Sequence, residues 1–218
     1  MVELHAHSLL SDGELLLSEI VRRYQAVGYR GVALTDHADL SNCEFIIESL
    51  LRATEELSKA TGMKLVAGAE LTHVPPSLIE PLVRRCRRAG AKVVLVHGET
   101  IVEPVAPGTN RAGIEAGADI IAHPGLISGE DVRLAAARGV RLEISGRGGH
   151  SLANGHVARV AQEYGAELTY GTDMHVPGDI LAGDQVRRVL LAAGLSASAV
   201  ERVLENNRAL LGIGGGAT

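Results

Sequence analysis

With 218 residues and a formal charge of −5, the chain has the length of one large α/β domain and lacks the basic footprint that nucleic acid or an anionic membrane would require. Aromatic residues are 2% of the sequence and Trp is absent, so a 46% hydrophobic composition implies a core of Val, Leu, Ile and Ala. Cys43 and Cys86 have no CxxC spacing, no basic-plus-apolar leader precedes the first motif, and no apolar window reaches the ~20 residues of a membrane span, so a reducing cytoplasmic setting is expected.

The chain opens on Val2-Glu3-Leu4-His5-Ala6-His7, a short strand pattern that puts both histidines on one face. Asp12-Gly13 follows, and by itself this stretch reads as a local site of two imidazoles and a carboxylate for a transition metal. From there short strands, rich in β-branched and small apolar residues, alternate with amphipathic helices. The expected strands are Val2–His5, Gly31–Thr35, Lys64–Gly68, Lys92–Val96, Asp119–Ala122, Val140–Ile144 and Glu167–Tyr170. The expected helices are Glu14–Val27, Cys43–Thr61, Ser77–Ala89, Asn110–Ala116, Ser128–Arg138, Leu152–Tyr164, Asp184–Ala193 and Ala197–Leu211. Gly28, Gly90, Gly117, Gly139 and Gly165 each follow a helix, as left-handed C-caps do.

Seven alternations without a linker give a single-domain, seven-stranded (β/α)7 barrel over residues 1–211 and a flexible Gly-rich tail over 212–218. An open doubly wound sheet is the runner-up, but no GxGxxG follows the first strand. Ligand-type residues gather at the C-terminal ends of six strands: His5 and His7, then Asp36-His37, Glu70, His97, His123, and finally Asp173 with His175. Barrel enzymes assemble their sites at that rim, and one histidine alone would carry little weight, but six strand ends together do. Asp36 fits either an orienting partner for an imidazole or a helix N-cap. His73 and His156 read as structural or surface residues.

The set His5-x-His7-x-x-x-Ser11-Asp12-Gly13, Ala33-Leu34-Thr35-Asp36-His37, Gly68-x-Glu70, His97, His123-Pro124 and Gly171-Thr172-Asp173-x-His175 resembles the PHP (polymerase and histidinol phosphatase) superfamily over residues 4 to about 180. The resemblance implies a distorted, TIM-like seven-stranded barrel and a phosphoesterase with two to three divalent ions, Zn, Mn or Fe. Carried over residue by residue, it puts one ion on His5, His7, Glu70 and Asp173, a second on Glu70, His97 and His123, and a third on Asp12, His37 and His175. Asp12 stands where some relatives have His, which bears on the third ion's metal preference. The activity implied is hydrolysis of a small phosphorylated metabolite, histidinol-phosphate-like or a nucleotide phosphate, by a metal-bridging hydroxide attacking phosphorus. Glu70 would be catalytic as the bridge, and Asp173 or His175 as general acid where the third ion is absent.

For the phosphate, Arg147 in Ile144-Ser-Gly-Arg-Gly-Gly-His150 is the first expected contact, with His150 beside it. Arg111 is the second, in a helix start that Thr109 or Asn110 would cap and whose N–H groups would favour an anion. The expected partner is a small phosphorylated substrate, with neither nucleic acid nor membrane. Two other readings remain: a non-catalytic metal-holding regulatory module, and an amidohydrolase-type hydrolase, although the latter usually has a ligating Lys where this chain has His97.

Overall fold

The computed structural model describes residues 1–213; residues 214–218 of the expected tail lie outside the described part. In chain order the elements are β1 (Val2–Glu3), α1 (Leu17–Ala26), β2 (Gly31–Leu34), β3 (His37–Ala38), α2 (Cys43–Thr61), β4 (Lys64–Leu71), α3 (Pro76–Ala89) and β5 (Val93–His97). They continue with α4 (Thr109–Glu115), β6 (Ile120–Ala122), α5 (Gly129–Arg138), β7 (Arg141–Ser145), α6 (Asn154–Tyr164), β8 (Leu168–Gly171), α7 (Gly183–Ala192) and α8 (Ala197–Leu210). All pairings are parallel, in the order β1-β2-β4-β5-β6-β7-β8. The short β3 pairs with β4 in the register that β2 began, since Gly31 faces Lys64 and His37 faces Glu70. β2 and β3 are therefore one stave with an interruption at Thr35-Asp36, and the seven expected staves are present.

The ring is nearly closed. A parallel bridge between Ala6 and Met174 joins the ends of the first and last staves, with His7 N–H donating to Met174 O at 2.8 Å and Met174 N–H to His5 O at 3.2 Å. That excludes the open doubly wound sheet. Strand side chains are buried almost throughout: Val93, Val94, Leu95 and Val96 are all inaccessible, as strands covered on both faces require. Helices lay apolar stripes on the outside, α2 with Ile46, Ile47 and Leu50 and α3 with Ile79, Leu82 and Val83. Cys43 and Cys86 are free thiols in this layer, both buried. Among the described residues no helix is long and apolar enough to cross a membrane.

Several expected boundaries shift, β4 running three residues past Gly68 to Leu71 among them, and three shifts have a clear local reason. The first strand ends at Glu3 because the Glu3 carboxylate accepts from Leu4 N–H and His5 N–H, both at 2.9 Å, and takes those amides from the ladder. The first helix begins at Leu17, not Glu14, because Glu14 N–H donates to His175 O and Leu9 N–H to Leu15 O, which fixes residues 9–15 as a loop. The expected tail starts too early: Ile213 N–H donates to Arg208 O, and Ile213 packs against the inner core cluster of Val2, Leu4 and Leu211.

Glu3 is fully buried, and Thr172 N–H and Oγ1–H of the last stave also donate to it, at 3.0 and 2.8 Å. Burial raises its pKa to about 7 against these four donors. The carboxylate thus clamps the first stave to the last. Glu3→Ala would leave three buried N–H groups unpaired at a cost of about 3 kcal/mol or more. A fall in Tm of about 10 °C by calorimetry is expected for a domain of this size.

Candidate metal centre

The residues at the C-terminal ends of the staves meet around one carboxylate. Glu70, from β4, is 0% exposed, and its Oε1 lies 3.3 Å from His5 Nε2, 3.4 Å from His97 Nδ1 and 3.4 Å from His123 Nε2. Its Oε2 lies 3.6 Å from His7 Nε2 and 2.8 Å from His37 Nδ1. Asp173 completes one side, with Oδ1 at 3.6 Å from His5 Nε2 and 3.3 Å from His7 Nε2. His5 and His7 thus act on one face, as the spacing requires. A further group stands at the mouth: Asp12 Oδ1 is 3.4 Å from His37 Nε2 and 3.2 Å from His175 Nε2, and those two nitrogens are 3.4 Å apart. All nine residues expected as ligands fall in overlapping groups whose donor atoms lie within 4.8 Å of one another.

The backbone is bent to make this possible. His73, His123 and Asp173 are the non-glycine residues with positive φ among the described residues, at 52°, 29° and 51°. Each turns just past a strand and costs on the order of 1–3 kcal/mol, strain of the kind that collects at functional sites. Gly171 serves the same end, since a Cβ there would collide with the Glu143 carboxylate and with His5.

Carboxylates outside the expected set hold the imidazoles in place. Glu143, on the one stave without an expected ligand, lies 2.8 Å from His5 Nδ1 and accepts from His123 N–H at 3.0 Å, which leaves His5 Nε2 for the centre. Glu103, in the loop after β5, lies 3.0 Å from His97 Nε2 while His97 Nδ1 faces Glu70. The same Glu103 reaches His73 at 3.2 Å, so His73 is a rim residue and not a bystander. A buried Glu inside the apolar run Leu142-Glu143-Ile144 was a legible signal; Glu103 gave none, because its loop has no periodic pattern. Asp36 neither orients an imidazole nor caps a helix: it accepts from Ser8 N–H, Ser8 Oγ and Ser11 Oγ at 2.7–3.0 Å and anchors the loop that carries Asp12. His156 is tied to Ile127 O at 2.8 Å, a structural contact.

A cavity of about 230 Å³ opens over the centre, lined by Asp12, His37, Thr72, His73, His97, Glu103, Arg147, His150, Asp173 and His175. Arg147 donates to Asp173 O at 3.0 Å and to His175 Nδ1 at 2.6 Å, with Asp173 Oδ2 at 3.7 Å. His150 stacks on His123 at 4.1 Å and pairs with Thr100 Oγ1 at 2.7 Å. Arg111 is not at the cavity: its guanidinium is held by Glu130 and Asp131 and ties α4 to α5. The anion expected at that helix start is the chain's own Glu99, whose Oε1 accepts from Gly108 and Asn110 N–H; Gly108 is the N-cap, and neither Thr109 nor Asn110 is.

Burial holds His7 and His97 neutral, with pKa values pulled down to about 3, the state a metal ligand needs. Burial also opposes charge on His5 and His37, but for His5 the fields of Glu143, Glu70 and Asp173 outweigh it and hold the pKa well above the ordinary value. Glu70 and Asp12 raise His37 to about 10. Protons there balance the buried carboxylates, and divalent ions would displace them. The donor set fits such ions on a direct observation: His5 Nε2, His7 Nε2, Glu70 Oε1 and His97 Nδ1 are buried, convergent and without a hydrogen-bond partner. Imidazole and carboxylate donors suit Zn, Mn or Fe.

The PHP domain family model matches residues 3–125, more than half of the chain and seven of the nine expected ligands. The chain belongs to the PHP domain family. An uncharacterised protein of Methanocaldococcus jannaschii is 41% identical to this PHP protein over 204 residues, covering 93% of this chain and 94% of that protein. Among solved structures, a chain of an archaeal ribonuclease P with mature tRNA superposes with a TM-score of 0.74 at 14% identity, covering 97% of this PHP protein and 90% of that chain. Histidinol phosphate phosphatase of Lactococcus lactis, complexed with zinc, L-histidinol and phosphate, gives 0.62 at 17% identity, over 89% and 94%. At those identities the two superpositions speak to the fold.

In Glu143→Gln the anion that orients His5 through Nδ1 and makes its Nε2 a stronger donor is lost, and metal affinity is expected to fall about 10–100-fold. Titration against a chromophoric chelator measures this.

Proposed function

We propose that this PHP protein is a metal-dependent phosphoesterase acting on a small phosphorylated metabolite, histidinol-phosphate-like or a nucleotide phosphate. The observation that carries the reading is the sharing of Glu70: one buried carboxylate faces imidazoles of two ligand groups, the arrangement of a bridged metal pair. His5, His7, Glu70 and Asp173 would hold one ion, Glu70, His97 and His123 a second, and Asp12, His37 and His175 a third. Divalent ions so held supply a water of lowered pKa and draw charge from phosphoryl oxygens.

The chain's own residues do the rest. Arg147 is the one Arg or Lys of the cavity lining among the described residues, and its planar fork suits a phosphate. Its present partner is His175 Nδ1, which accepts from it. When His175 Nε2 serves as a ligand, its proton sits on Nδ1 and donates to Asp173 O at 3.0 Å, so that contact with Arg147 is given up. The guanidinium then keeps the Asp173 and Asp179 carboxylates and presents its other N–H groups to the cavity. His150, neutral because burial lowers its pKa to about 4, offers Nε2 to the same space. Without the third ion, Asp173 or His175, which line the cavity, would be the group to serve a leaving-group oxygen as general acid.

The amidohydrolase reading finds no lysine to use. The three lysines are Lys59, which is exposed on α2, and Lys64 and Lys92, which sit at the N-terminal ends of β4 and β5, opposite the centre. The test is a panel of phosphomonoesters and phosphodiesters, histidinol phosphate included, with Mn or Zn added. Phosphate release that a chelator abolishes is expected, and Arg147→Ala should raise KM about 10-fold or more through loss of charge-assisted hydrogen bonds. No release from any compound would refute the reading.

A further inference from the structure

The flank of the barrel between α1, α2 and the loop before α1 carries a groove, away from the metal centre. Its volume is about 800 Å³, and Leu9, Leu10, Leu16, Leu17, Ala53 and Leu57 supply its apolar lining. Leu10, Leu17 and Leu57 are partly buried against the core cluster of Ile20, Tyr24 and Leu50 and form the floor. Leu9 and Leu16 stand on the wall, 57% and 64% exposed. That wall is fixed in place, since Leu9 N–H donates to Leu15 O at 3.0 Å and Ser8 is bound to the Asp36 carboxylate. Apolar surface concentrated in this way marks a contact site, whereas single exposed leucines do not.

α2 supplies a matching knob. Phe45 is the chain's one phenylalanine, and it stands 63% exposed on the first turn of α2. It lies one turn before Ser49, on the face whose Ser49, Arg52, Ala53 and Glu56 line the groove. Those four have the i, i+3, i+4, i+7 spacing of a hole that accepts one side chain from a facing helix. Knob and hole thus share one helix face, about two turns apart. When two copies of α2 cross antiparallel about a two-fold axis at Ser49, Phe45 of each falls into the hole of the other. Mutual fit of this kind defines an isologous interface.

The charges repeat the pattern. Other carboxylates of this helix are paired nearby, Glu44 with Arg85, and Glu55 and Glu56 with Lys59. Glu48 and Arg52 are exposed and, among the described residues, pair neither with one another nor with any other side chain. The same two-fold axis brings each Glu48 within reach of Arg52 of the other copy, so both charges are matched twice. A lipid surface would instead cover Glu48, Arg52 and Glu56 without partners for them.

We infer that this PHP protein forms a two-fold homodimer in which α2 packs antiparallel on α2 of a second copy, with Phe45 of each seated in the other's groove. None of these residues lines the cavity over the metal centre, so the dimer leaves that cavity open. The inference stands apart from the phosphoesterase reading and does not depend on it.

Sedimentation equilibrium over a concentration series is the test. The native protein should approach twice the chain mass with a Kd of about 10 μM or tighter. Phe45→Ser removes both anchors of the pair and should weaken the dimer about 100-fold or more while keeping the native circular dichroism. Glu48→Arg should weaken it about tenfold, and adding Arg52→Glu to that variant should restore it to within about threefold of native. A native protein that stays monomeric up to about 300 μM would overturn the inference. So would a dimer indifferent to Phe45→Ser, or a charge swap that brings no recovery. Monomeric protein that floats with phosphatidylcholine vesicles would also overturn it, in favour of a membrane contact.

Discussion

Burying Glu70 is the constraint from which the rest of the centre follows. A carboxylate with no solvent access and five imidazole nitrogens within 3.6 Å is tolerable only if positive charge is brought to it. Protons on His5 and His37 supply some of that charge, and convergent, unpaired nitrogen and oxygen atoms mark where divalent ions would supply more. The staves that carry those imidazoles must therefore be complete and in register. This ties the clamp between Glu3 and Thr172, on the first and last staves, directly to the chemistry.

The strain at the rim belongs to the same account. His123 and Asp173 leave their strands in left-handed conformations that turn their side chains over the barrel mouth, and His73 has the same backbone conformation past β4, two staves from His123. Tight packing of valine and leucine strands below offsets these local costs. Rigid placement of this kind is what a polynuclear site needs, because its ligands must converge before any ion arrives.

Much of this was legible in the sequence, because strands alternate side chains and parallel barrels put their C-terminal ends on one rim. His5 and His7 declared a shared face, and Glu70, His97 and His123 each followed an apolar run, so the seven staves and the side chains that meet at their rim could be read from the pattern. What escaped depended on partners distant in the chain. Asp36 fitted either a partner for an imidazole or a local cap, but its donors are Ser8 and Ser11, 25 to 28 positions away. Glu103 and His73 lie in loops whose course no periodicity predicts. Arg111 looked like an anion binder at a helix start, yet Glu99 already occupies that N-terminus and acidic residues of α5 hold the guanidinium.

The central claim is that Glu70 joins two ions into one centre. Elemental analysis of the purified protein beside Glu70→Gln tests it most directly, with circular dichroism to confirm that the variant is folded. Two to three divalent ions per native chain, and loss of at least two in the variant, are the predicted result. A folded variant that keeps the native metal content would contradict it.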